Sequence, residues 1–224
     1  MCIRDSISGL PLVPTERRNP MLTTTFGTGE LIRNALERGC RNFIIGLGGS
    51  ATNDAGIGML QALGFRFLDK AGNELGIGGK ILSEIASVDI TSKHPLLKNC
   101  TFTAAYDVHI PFYGPQGAAR LFAPQKGADT LMVETLDSAM CHLAEIIRQT
   151  TGKDISDCSG TGAAGGMGGG LSAFLDAELK PGILLLLDTL NFADKIKGAD
   201  FIITGEGKSD KQSLMGKVPS GILA

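Results

Sequence analysis

The chain has no tryptophan, two tyrosines and three histidines, and each scarcity argues against a class of function. Few aromatic rings and a formal net charge of −2 leave neither the basic footprint nor the stacking residues of a nucleic-acid binder, so no such partner is expected. His94, His109 and His142 are scattered, with no pair at ligand spacing, and Cys2, Cys40, Cys100, Cys141 and Cys158 are odd in number and widely separated. Neither a transition-metal site nor a disulfide framework follows, and reduced thiols in a cytoplasmic protein are the simplest reading. The longest apolar run, Ile183 to Leu187, is far too short to span a bilayer. The amino-terminal residues lack the basic region and long apolar core of an export signal, so no membrane role is expected.

With 224 residues, 43% hydrophobic and 20% charged, the chain can bury one sizeable core or two small ones. Its excess is in glycine, 31 residues gathered in loops rather than spread at a fixed period. Many turns are therefore suited to close backbone approach, which favours an enzyme over a scaffold.

The most informative stretch runs from Ile44 to Gly56, where a short apolar run opens into Gly48-Gly49-Ser50-Ala51-Thr52-Asn53-Asp54 before helical spacing appears at Met59, Leu60 and Leu63. Phe43 to Ile45 suits a buried strand of a parallel or mixed sheet. The glycines let backbone N–H groups approach an anion, and Ser50, Thr52 and Asn53 can donate hydrogen bonds to carboxylate or phosphate oxygens. Asp54 adds a carboxylate suited to a cation or a hydroxyl proton. A tight strand-to-helix turn capped by Asn53 or Asp54 would use the same residues, but five ligand-competent residues in one turn favour a site. The spacing is neither a Walker A loop nor the dinucleotide glycine fingerprint, so the stretch by itself names no substrate.

Elsewhere the pattern is α/β, with a mixed sheet and flanking helices. Helical spacing from Gly29 to Arg38 turns Leu31, Ile32, Ala35 and Leu36 inward, and Gly39 ends it before a strand over 42–47. A hairpin turned by Ala71-Gly72 is expected between Phe65 and Leu75, a strand at Phe102 to Tyr106, and a long helix over 128–149 burying Leu131, Met132, Leu136, Met140, Leu143, Ile146 and Ile147. The loop from His109 to Gly117 and the segment to Gly127 look suited to closing over a ligand. Gly160 to Gly170 holds seven glycines in eleven residues, open to a linker or to a close backbone contact, with a helix from about Leu171 and another after Pro181. A last strand is expected over 199–204. Asp54, Asp107, Glu206 and Asp210 then follow strand ends, where ligands gather in open α/β sheets.

Five segments in order, Thr25 to Glu30, Gly48 to Asp54, Phe122 to Ala128, Gly162 to Gly168 and Thr204 to Gly207, resemble bacterial glycerate kinases of the type I family. The resemblance runs from about Ser8 to the end, and implies phosphorylation of a D-glycerate hydroxyl by ATP with Mg²⁺. Family members begin with further motifs and continue past Lys217, so the chain is expected to be a central fragment. Residues 1–7 read as a non-native leader and 8–198 as the inserted second α/β domain with pieces bordering the nucleotide-binding domain. Residues 199–224 read as the start of the return to that nucleotide-binding domain. Tyr106 stands where cysteine is expected, and Lys208-Ser209-Asp210-Lys211 replaces a version containing arginine; neither change removes a carboxylate.

On that resemblance Asp107, Asp54 and Glu206 are the catalytic candidates, with Asp107, Glu206 and Asp210 the Mg²⁺ ligands. Gly48, Gly49, Ser50, Thr52 and Asn53 form the cradle for glycerate or the γ-phosphate. Arg120, Lys126, Ser213 and Lys217 are candidate anion contacts, although a solvated polar turn is the commoner fate of such residues. 2-Phosphoglycerate is the expected product, with 3-phosphoglycerate kept open. A small-anion binding domain without catalysis is the non-enzymatic alternative. A homodimer remains a candidate state.

Overall fold

The computed structural model describes residues 8–205 and 222. The elements that place the site begin with helix α1 (Phe26–Glu37), strand β1 (Asn42–Leu47) and helix α2 (Ile57–Ala62). Strands β2 (Arg66–Leu68), β3 (Ser87–Asp89) and β4 (Thr101–Tyr106) follow, then helices α3 (Ala118–Phe122), α4 (Thr130–Thr151) and α5 (Ala163–Leu175). Strand β5 (Glu178–Pro181) and helices α6 (Gly182–Thr189) and α7 (Phe192–Lys195) close the described part.

The parallel and antiparallel pairings expected together are divided between two sheets. β1, β4 and β5 form a parallel sheet in that order, while β2 and β3 pair antiparallel on their own. The expected hairpin survives as one bridge, Leu68 to Glu74, because the Asp69 carboxylate accepts from the backbone N–H groups of Ala71 and Asn73 and closes the turn there. The partner of β2 is β3, too distant in sequence for turn signals to reveal.

One face of the parallel sheet is covered and the other is largely open. Burial alternates along β1, with Phe43, Ile45 and Leu47 inward and Ile44 left 66% exposed. Phe43 stacks on Phe102 of β4 at 4.9 Å between ring centroids. On the covered side Phe174 of α5 meets Phe65 and Phe67 edge-on, and Phe112 and Met140 lie fully buried nearby.

α4 starts where the Asp129 carboxylate accepts from the Met132 N–H and ends at Gly152, whose φ of 75° is the left-handed cap glycine provides. Its buried stripe begins at Leu136, and Leu131 is 72% exposed, so the expected apolar face is one turn too long at its start. The strand expected over 199–204 is absent: Phe201 and Ile203 are exposed, and no described strand lies beside them to supply the hydrogen bonds a strand requires.

The glycine-rich segment is a packing device. Within α5 a kink separates Ala163 from the regular right-handed turns, which run from Met167, four residues before the expected start, as close contact overrides the poor helix propensity of the glycines. Ala164, Gly165 and Gly166 are left-handed, and a Cβ at Gly165 would lie 2.1 Å from the Thr52 carbonyl oxygen. The Gly165 carbonyl accepts the Ala55 N–H at 3.0 Å, so backbone packs on backbone directly behind the Gly48–Gly56 turn.

Candidate active site

The register of the parallel sheet lines up three chain segments at its carboxyl end. Leu47 pairs with Tyr106 and Tyr106 with Pro181, so Gly48, Asp107 and Gly182 emerge side by side. Ligands of open α/β sheets gather at this end. Asp107 is exposed, and its carboxylate accepts no hydrogen bond from any described residue. A Cβ at Gly182 would fall 2.8 Å from Asp107 Oδ1, which shows how closely the start of α6 approaches that carboxylate. The sequence pattern passed over two neighbours here. The His109 ring stands edge-on to Tyr106, and its Nδ1 pairs with the Ser159 hydroxyl. The usable signal for His109 was its place three residues beyond the strand end, rather than any spacing to another histidine.

Of the Gly48–Asp54 stretch, the first two residues are exposed and the third is half-buried. A Cβ at Gly48 or Gly49 would meet no described atom within 4 Å, and Gly49 has a φ of 60°. Ser50 is half-buried and bridged to Gly9, with the Leu10 N–H donating to the Gly49 carbonyl at 2.7 Å. Beyond Ser50 the chain enters the core. Thr52 and Asn53 are buried, and neither the Thr52 hydroxyl nor the Asn53 side-chain oxygen has a partner among the described residues.

Asp54 is likewise inside, fully buried at the junction of two helix starts. Its Oδ2 accepts from the Thr25 N–H at 2.7 Å and the Thr25 hydroxyl at 2.9 Å, and from the Thr24 hydroxyl and Gly58 N–H, each at 3.3 Å. Oδ1 accepts from the Gly56 N–H at 3.3 Å. Burial pushes this carboxyl above its ordinary range, against the opposing pull of the Thr25, Gly58 and Gly56 donors. The arrangement ties α1 to α2 and offers no open face to a reactant.

Lys126 lies under the turn, 2% exposed. Its ammonium donates to Ser50 Oγ at 2.9 Å and to the Thr52 carbonyl oxygen at 2.6 Å. Burial lowers its pKa to about 8, with the Asp54 charge opposing the shift. Between that value and the ordinary lysine range the unfolded chain holds a proton that the folded chain has released, so stability rises with pH across this window. The difference in unfolding free energy between wild type and Lys126→Met is therefore expected to shift toward wild type by roughly 2 kcal/mol from neutral pH to about pH 10. Urea denaturation at both pH values measures it, and a difference independent of pH would remove the buried ammonium.

Arg120 of α3 is engaged elsewhere: its Nε donates to Asp137 Oδ2 at 2.9 Å, and the same carboxylate accepts the Gly114 N–H. Glu206, Asp210, Ser213 and Lys217 lie outside the described residues. Among the described residues, no group of three His, Cys, Asp or Glu side chains is placed to hold a metal ion. A cavity of ≈ 390 Å³ opens at the opposite, amino end of the parallel sheet, near Thr101 and Glu178, away from all of these groups.

The ordered motifs and this strand-end geometry meet in one comparison: a model described as "Glycerate kinase family" matches residues 5–224. The chain belongs to that family. It is 52% identical to a glycerate kinase of Haemophilus influenzae and 51% identical to a glycerate 2-kinase of Escherichia coli, in each case over 96% of this chain. It spans 57% and 56% of those two relatives' lengths. A crystal structure of a candidate glycerate kinase 2 from Salmonella typhimurium LT2 superposes with a TM-score of 0.86 at 47% identity, over 96% of this chain and 57% of that one. No described helix is long and apolar enough to cross a membrane.

Proposed function

We propose that the chain carries the acceptor site of a glycerate kinase that transfers the γ-phosphoryl group of ATP to a hydroxyl of D-glycerate, giving 2-phosphoglycerate. The observation that carries this reading is the row of Gly48, Asp107 and Gly182 at the carboxyl ends of three parallel strands, with Gly48 and Gly49 exposed among the described residues and the charge of Lys126 beneath. Phosphoryl transfer asks for positioning and charge stabilisation more than covalent chemistry, and this row offers both. Gly48, Gly49 and Ser50 hold the glycerate carboxylate or the transferring oxygens. Asp107 accepts the proton of the attacking hydroxyl or faces the cation. Glu206, Asp210, Ser213 and Lys217, outside the described residues, are assigned to phosphate and cation binding, and residues 8–198 to the acceptor domain. Asp54 serves by fixing the turn.

The carboxylate of Asp107, which accepts from no described residue, fits Mg²⁺, which is commonly held by one or two carboxylates together with substrate phosphates. When bound, Mg²⁺ neutralises charge developing on the phosphoryl oxygens. The 2-position is favoured by likeness to the Escherichia coli glycerate 2-kinase.

A second reading is glycerate binding without turnover, consistent with the absence, among the described residues, of a group of three His, Cys, Asp or Glu placed to hold a metal ion. One assay separates the two: ATP-dependent phosphorylation of D-glycerate with Mg²⁺, run on the 224-residue chain and on the chain joined to its flanking coding sequence, with phosphorus NMR fixing the product. We expect 2-phosphoglycerate from the extended protein. Binding with no product in either form would establish the second reading, and 3-phosphoglycerate would correct the regiochemistry.

A further inference from the structure

We infer that Lys126 is a positioning residue: by donating to the Ser50 hydroxyl oxygen from beneath the turn, it commits that hydroxyl to donate outward, to an anion at the carboxyl ends of β1 and β4. The inference rests on the cradle reading above and adds a polarity to it. An ammonium has donors and no acceptor, so at the 2.9 Å contact Ser50 Oγ is the acceptor. Its one proton then needs another partner, and no described residue supplies one. Ser50 is half-buried beside Gly48 and Gly49, which are exposed among the described residues, so the direction left to the proton is outward. The Thr52 carbonyl, which can only accept, anchors the ammonium at 2.6 Å and keeps it from turning away.

Without this lock a turn serine readily spends its proton on a nearby backbone carbonyl. With it, the buried cation reaches the ligand through a neutral group and does not meet solvent itself. Lys126 would thus act on the bound anion without touching it.

Other charges near Lys126 are accounted for element by element. The turn contributes Asp54, buried and held by its own five donors. The segment before α1 contributes Arg18, whose backbone abuts Gly127 and whose Nε donates to the Val13 carbonyl. Arg120 of α3 is paired with Asp137 of α4, Asp129 caps α4, and α5 carries no charge. Lys126 is therefore the group in this cluster set to lose its proton just above neutrality, at about 8. Above that pH its lone pair can accept the Ser50 proton, which turns the hydroxyl inward and removes a donor from the anion.

The test is D-glycerate binding by calorimetry from about pH 6 to about pH 10, a range over which the glycerate carboxylate stays ionised. Wild type, Ser50→Ala, Lys126→Met and the double variant are compared, with circular dichroism as the folding check. Wild-type affinity is expected to fall about fivefold to tenfold through the Lys126 titration, while Ser50→Ala binds more weakly at neutral pH and shows no step. Lys126→Met should match Ser50→Ala, and the double variant should be no weaker than either, since both remove the same donor. If Lys126→Met fails to fold, the wild-type and Ser50→Ala pH series decide alone. A step of unchanged size in Ser50→Ala would mean that Lys126 meets the anion directly, and overturns the inference alone. No binding of either D-glycerate or inorganic phosphate by wild type overturns the cradle and the inference with it.

Discussion

Replacing Asp54 by alanine is expected to lower the unfolding free energy by at least about 4 kcal/mol, a melting temperature lower by roughly 10 °C, and to abolish ligand binding as a consequence. The reason is the donor set. Two backbone N–H groups of α2's first turn and its approach, the Thr25 N–H and two threonine hydroxyls converge on one carboxylate at full burial. Alanine would leave these donors buried and unpaired, each at a cost of about 1–3 kcal/mol before relaxation. Asparagine, nearly isosteric, keeps one acceptor oxygen but turns an NH₂ toward donors, so it should be intermediate rather than neutral. Urea denaturation of the two variants checks the order. An Asp54→Asn protein of wild-type stability that lost only turnover would return Asp54 to the chemistry and overturn its reading as an anchor.

The contrast between Asp54 and Asp107 marks where the sequence is legible. Both follow an apolar strand pattern, and both fall in the region that resembles glycerate kinases. What separates them is depth, and depth depends on partners. Asp54 is drawn inward because Gly58 lets α2 approach the start of α1, where a Cβ would sit 2.1 Å from Thr24 Oγ1. A glycine whose value lies in a contact 34 residues away leaves no periodic trace. For the same reason the glycine-rich segment reads equally as a linker, while in the structure Gly165 and Gly170 pack on the carbonyls of Thr52 and Ala55. Local signals were read more faithfully. β1 and β4 lie where their apolar runs predict, within a residue, and α4 lies within two residues of the expected 128–149 at each end. β5 was missed because Glu178-Leu179-Lys180-Pro181 is short and polar, and becomes a strand by pairing with β4.

Asp107→Asn is expected to behave in the opposite way to the Asp54 variants: turnover falls by about 10²–10⁴ while stability stays within about 0.5 kcal/mol of wild type. The exposed carboxylate accepts no hydrogen bond from a described residue, so an amide of the same shape strands no buried group. It does lose the negative charge that either proposed role requires, since an amide neither takes the hydroxyl proton nor holds a hard cation well. The two roles divide on metal dependence. A lost cation ligand should raise the Mg²⁺ concentration needed for half-maximal rate, whereas a lost base should lower the rate at saturating Mg²⁺ and flatten the acidic limb of the pH profile. Gly182→Ala supplies a steric control: its Cβ would press on Asp107 Oδ1 at 2.8 Å, and because a carboxylate is the mobile end of its side chain, the rate should fall with the fold intact. Steady-state kinetics of both variants, in the form of the protein that turns over, gives the answer. An Asp107→Asn rate within about threefold of wild type would remove Asp107 from both roles and move the chemistry to Glu206 or Asp210.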